Sequence, residues 1–165
     1  MDEDDIDRFR AQWARELPDV DTRGMDVLGR ARRVVQQSRA PIEAALARFG
    51  VDAGEFDVLA TLRRAGPPYS LRPTELFRSL MISSGGLTAR LNRLKSAGLI
   101  ARPQAPDDGR SLLVELTADG ARLVERAFRE DMAVEARLVS SLSDTEQIDL
   151  ASLLRKLGRS LSGQG

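Results

Sequence analysis

The segment from Gly66 to Thr117 admits few folds, because its breaks lie too close together for long helices. Gly66-Pro67-Pro68 ends whatever helix precedes it. Pro73 suits the first turn of a short helix, predicted over 73–80, although Arg72 before it is a poor N-cap. Met81-Ile82 then form a tight turn. Ser83 or Ser84 is placed to cap a second helix running to Ser96, with Leu87, Leu91 and Leu94 on its buried side. Gly98 closes that helix. Leu99–Arg102 reads as a strand, 103–109 as a polar turn-rich loop, and Ser111–Leu116 as the return strand. Two helices, a tight turn and a β-hairpin make a winged helix-turn-helix.

Helices flank this unit on both sides. Residues 2–17 place Ile6, Phe9, Trp13 and Leu17 on one stripe, with acidic residues at the positive end of the helix dipole. Residues 24–49 read as a longer helix with Leu28, Ala31, Val35, Ile42 and Leu46 near one face. Pro41 should kink it or start a second segment. Asp52 with Glu55 forms a capping box for a helix over 53–65, whose stripe is Phe56, Leu59, Ala60 and Arg63. Thr117 caps a long helix over 118–140. Ser143 with Glu146 opens a last one over 144–161, with Leu150, Leu154, Leu157 and Leu161 as its stripe. The fold class is therefore mainly α with a small β-hairpin wing. One domain is expected, built from N-terminal helices (1–50), a winged helix-turn-helix lobe (51–116) and C-terminal helices (117–165).

Composition removes most enzyme classes. The chain of 165 residues has no Cys and no His. A thiolate nucleophile, a thiol redox sensor, a Ser-His-Asp triad and a His-built zinc site are all excluded. No catalytic residue, metal site or cofactor is expected. No apolar run approaches the roughly 18 residues that span a bilayer. The acidic N-terminus has the wrong sign for a signal peptide, so a soluble, cytoplasmic protein without a membrane partner is expected.

The formal net charge is zero, from 25 basic and 25 acidic residues, but the charge is segregated. Residues 1–21 carry eight acids against three bases, and residues 63–110 carry nine bases against three acids. The basic window coincides with the helix-turn-helix and wing. DNA affinity depends on such local phosphate neutralisation, not on whole-chain charge. A solvated basic face, on a helical protein that binds another protein and never touches DNA, is the competing reading.

These residues carry a resemblance to the MarR family of transcriptional regulators. The matching stretches are Glu75-Leu76, Ser83 to Thr88, Arg93-Leu94, Ala97 to Ile100, Asp107 to Ser111 and Val114 to Thr117. The resemblance spans residues 22–161. It implies a homodimer whose first and last helices form the interface, with two winged lobes on double-stranded DNA. In the recognition helix, Thr88 and Asn92 project opposite the leucines and are candidates for base edges, while Ser83 and Ser84 open the helix with small side chains that allow close approach to phosphates or base edges. Arg93 and Lys95 are assigned to phosphate. Gly85 and Gly86 each cost roughly 0.5–1 kcal/mol inside a helix, a cost explained by close approach to DNA or by tight helix packing. At the wing, the resemblance implies a minor-groove Arg110 oriented by Asp108; an ordinary hairpin salt bridge is the alternative. Gly109 stands where many members have a second Arg, which lowers the wing's charge.

The extra N-terminal helix is similar to that of the urate-responsive branch of the family. That branch implies an effector site at Trp13, Asp57, Arg64 and Arg90, for urate or a related purine anion. The chemistry is coherent: an indole stacks on a flat anion, a guanidinium grips its oxygens, and a carboxylate accepts its ring N–H. Asp57 and Arg64, seven residues apart, share a helix face. Arg90 belongs to the DNA-reading helix, so a ligand touching it can shift that helix. Against this stand simpler roles: Trp13 as dimer core, and Asp57 as the partner of Arg64 or Arg90. A phenolic or antibiotic-like effector is the alternative within the family.

Overall fold

The computed structural model describes residues 3–81, 86–105 and 108–163, and gives the backbone alone for residues 105 and 108–111. The described chain forms two compact units, residues 1–41 and 42–165. The first holds α1 (Asp5–Glu16) and most of α2 (Arg23–Ala47). Asp4 caps α1, accepting from the N–H groups of Ile6 and Asp7, while Asp7 reaches back to the Asp4 N–H. Ile6, the buried residue of α1, packs where Gly29 leaves α2 without a side chain. Arg30 gathers Asp4, Asp7 and Asp26 at 2.8–2.9 Å, and their carboxylates push its pKa up. Pro41 does not divide α2, which is assigned as one continuous helix. The boundary between the two units falls at that proline.

The second unit is built around α3 (Ala53–Arg64). Asp52 and Glu55 form its capping box, with bonds of 2.8 and 3.0 Å. The expected stripe on α3 was too narrow. Gly54, Glu55, Asp57, Val58, Leu59, Thr61 and Leu62 are all buried, whereas Phe56, Ala60 and Arg63 lie on its half-exposed side. A helix packed by neighbours on several sides loses the single-face periodicity that marks a surface helix. β1 (Ser70–Leu71) follows, then α4 (Pro73–Ser79), α5 (Leu87–Ser96), β2 (Ile100–Ala101), β3 (Gln104–Ala105), β4 (Asp108–Leu112) and β5 (Val114–Leu116). α6 (Ala118–Leu138) and α7 (Asp144–Ser162) end the chain.

β5 is the centre of a three-stranded antiparallel sheet, flanked by β1 and β2. Ser70 pairs with Glu115 and Ile100 with Leu116. β1 was not foreseen, being two residues without alternation. The expected 103–109 loop contains β3 and the start of β4, which pair antiparallel to form the wing. The core gathers Leu46, Val58, Leu59, Leu62, Leu76, Leu91, Leu94, Ile100, Val114 and Val124. Thr117 and Ser143 cap α6 and α7 as expected. The expected stripe of α7 is present, but no residue of that helix is buried.

Candidate nucleic-acid interface

α5 begins later than expected, at Leu87. Its N-cap is Gly86, at φ 75°, so this glycine serves a left-handed entry and not a helix interior. Ser83, Ser84 and Gly85 lie outside the described residues. Leu91 and Leu94 are buried and Leu87 half-buried, which leaves Thr88 and Asn92 exposed on the other side. The last turn closes on Gly98 at φ 70°, with the Leu99 N–H returning to the Leu94 carbonyl at 3.0 Å. Lys95 is exposed. Arg93 is engaged within the lobe: it reaches Glu55 at 2.5 Å and Asp52 at 3.0 Å, and Glu55 foremost raises its pKa. One capping box thus starts α3 and also holds the end of α5. Asp108 and Arg110 lie on wing strand β4, and their side chains are outside the described residues.

α4 starts without a side-chain cap from Arg72. Glu75 replaces it, accepting from the Arg72 N–H at 2.8 Å. The far end of α4 is tied to α3. Asp57 is buried and accepts from the Met81 N–H at 2.8 Å, while Arg64 donates to the Ser79 carbonyl. These two candidate effector residues therefore grip the short stretch leading toward α5. Arg90, the third, lies across Gly54 at the start of α3, where a methyl group would overlap its guanidinium. Trp13 belongs to the first unit and is about half exposed, beside Leu17, Val20 and Met25. The bond from Asp57 to a backbone N–H was not legible in the sequence, since such bonds leave no pattern in residue types.

A second feature went unforeseen. α3 and α6 enclose an open cavity of about 780 Å³, lined by Ala60, Arg64, Val124, Phe128 and Met132. Arg63, stacked over Tyr69 at 4.6 Å and paired with Glu125, stands at its rim. Among the described residues no helix is long and apolar enough to cross a membrane.

The lobe is matched by known proteins. A model described as "MarR family" matches residues 49–111. The HTH-type transcriptional regulator PecS of Dickeya dadantii is 36% identical over 150 residues, covering 91% of this chain and 90% of its own. A variant of MarR from E. coli, solved in complex with operator DNA, superposes with a TM-score of 0.70 at 29% identity, over 88% of this chain and 96% of that one. BpsR of Bordetella bronchiseptica, whose DNA binding is regulated by 6-hydroxynicotinic acid, superposes with a TM-score of 0.73 at 26% identity, over 84% and 98%. A winged helix-turn-helix with a basic reading head and PecS-like sequence along nearly its whole length belongs to the MarR family of DNA-binding transcription regulators.

Proposed function

We propose that the protein is a homodimeric repressor that leaves a palindromic operator when it binds urate or a related purine anion. Members of its family are transcription regulators and not enzymes. The observation that carries the effector reading is the double grip of Asp57 and Arg64 on residues 79–81. A flat anion whose oxygens compete for the Arg64 guanidinium, and whose ring N–H competes for the Asp57 carboxylate, weakens bonds that set the approach to α5. Differential affinity for the two positions of that helix is what makes a ligand an effector. Regulation of BpsR by 6-hydroxynicotinic acid, another flat heteroaromatic acid, supports this ligand class.

On DNA, Thr88 and Asn92 address base edges, Lys95 meets phosphate, Arg110 enters the minor groove and Asp108 orients it. Ser83 and Ser84 are the remaining candidates for DNA contact. Arg93, held by two carboxylates, acts on phosphate only with its exposed edge. Half-sites about one helical turn apart, roughly 10 bp, match the two lobes of a dimer.

A second reading has its own support. The cavity between α3 and α6 is lined mainly by apolar atoms of Val124, Phe128 and Met132, which suit a phenolic or antibiotic-like ligand. Trp13 is the only tryptophan, so its fluorescence reports on the urate reading. Urate is expected to quench it in wild type and not in Arg90→Ser, with uncharged phenol as the comparison. Release of operator DNA by phenol and not by urate transfers the effector role to the apolar ligand.

A further inference from the structure

α4 exposes an aromatic ring on a surface otherwise suited to phosphate. Phe77 is 54% exposed, although α4 has a buried side at Leu76 for its apolar residues. The ring borders an open groove of about 600 Å³ between α4 and the first turn of α5, shared with Thr74, Arg78, Gly86 and Thr88. Gly86 forms part of its wall as bare backbone, with nothing within 4 Å of where a Cβ would stand. The groove therefore has three chemistries side by side: a cation at Arg78, hydroxyls at Thr74 and Thr88, and an apolar plate at Phe77 with Pro73 and Leu87 beside it.

In a helix-turn-helix, the recognition helix enters the major groove by its N-terminal residues while the preceding helix crosses the backbone. A groove between the preceding helix and the first turn of the recognition helix then receives one DNA strand. The major-groove edge of a base pair offers one apolar group, the C5-methyl of thymine, which Phe side chains can contact. We propose that Phe77 is a specificity-determining residue. It packs on a thymine methyl beside the base pair that Thr88 addresses, with Arg78 on the flanking phosphate. The proposal rests on the assignment of α5 as the DNA-reading helix. The net basic charge of the lobe favours a DNA strand as the occupant of this groove.

The test uses deoxyuridine, which pairs like thymidine but lacks the methyl. The full-length protein selects a preferred duplex from a random pool, and each thymidine of a half-site is then replaced in turn. At one position the replacement is expected to weaken wild-type binding by about fourfold, the worth of one buried methyl group. Phe77→Ala should bind the thymidine duplex weaker by a similar factor and show no further loss on the deoxyuridine duplex. Phe77→Leu should keep part of the discrimination, and Thr88→Ala should keep all of it at that position. Identical deoxyuridine profiles for wild type and Phe77→Ala overturn the proposal, as does a profile with no sensitive thymidine. If Thr88→Ala and Lys95→Ala bind the selected duplex like wild type, the underlying assignment of α5 fails instead. Because Phe77 is exposed, Phe77→Ala should retain the wild-type melting temperature.

Discussion

A missing side chain at Gly120 lets α6 pass close to the backbone where β2 begins. A Cβ there would overlap the Leu99 carbonyl oxygen and stand 2.9 Å from Leu116 Cδ1. Backbone cannot step aside as a flexible side chain can, so Gly120→Ala is expected to cost about 3 kcal/mol in urea unfolding. Nine-tenths buried, Asp131 presents the opposite case: its Oδ1 has no hydrogen-bond partner among the described residues, and burial raises its pKa. Burial first, and then the Asp131 charge, also raises Glu135. A raised folded-state pKa means the charged carboxylate is penalised on folding. The penalty is absent below the unfolded-state value of 3.8 and grows as pH rises through the folded value. Asp131→Asn should therefore stabilise the protein by about 1 kcal/mol at pH 7, with the gain shrinking toward pH 4 in thermal melts. At this scale the sequence is partly legible. Asp52–Glu55 and Ser143–Glu146 announce themselves because a cap needs particular residue types at fixed spacing. The Gly120 contact does not, because its partner is 21 residues away in the chain and is a main-chain atom.

Between elements, the recognition helix is positioned by polar bonds as well as by its own leucines. Arg93 ties its end to the α3 capping box, and Asp57 with Arg64 ties the chain before it. Asp57→Ala should lower operator affinity about tenfold without changing the salt dependence, since no phosphate contact is lost. Asp57→Asn keeps an acceptor for the Met81 N–H and should bind nearly as wild type. Lys95→Ala should instead reduce the slope of log affinity against log salt by about 0.9. Fluorescence anisotropy across a salt series distinguishes the three; a reduced slope for Asp57→Ala would show that it alters phosphate contacts. The helix-turn-helix was readable because its breakers and caps bracket short elements. α3 was misread for a physical reason: helices and sheet surround it, so apolar and polar residues alike are buried and periodicity fades. The Gly86 entrance was misread because a glycine's sequence position does not say on which side of a helix start it falls.

For the whole molecule, two features await a partner. α7 exposes Ile148, Leu150, Leu153, Leu154 and Leu161, and the first unit exposes Phe9, Trp13, Val34 and Val35. So much unpaired apolar surface is uncommon on a monomer and supports the proposed dimer. Leu154→Glu should shift the protein toward monomer in sedimentation and lower operator affinity at least tenfold; a persistent dimer would place the interface elsewhere. The net charge of zero is compatible with DNA binding because the acids cluster at the N-terminus and the bases in the lobe. The most direct measurement is a urate titration of a preformed complex between the protein and its selected duplex, followed by gel shift. Wild type should release DNA at sub-millimolar urate, while Trp13→Phe and Arg90→Ser stay bound. A wild-type complex undiminished at millimolar urate, or equal release from Arg90→Ser, would contradict the account.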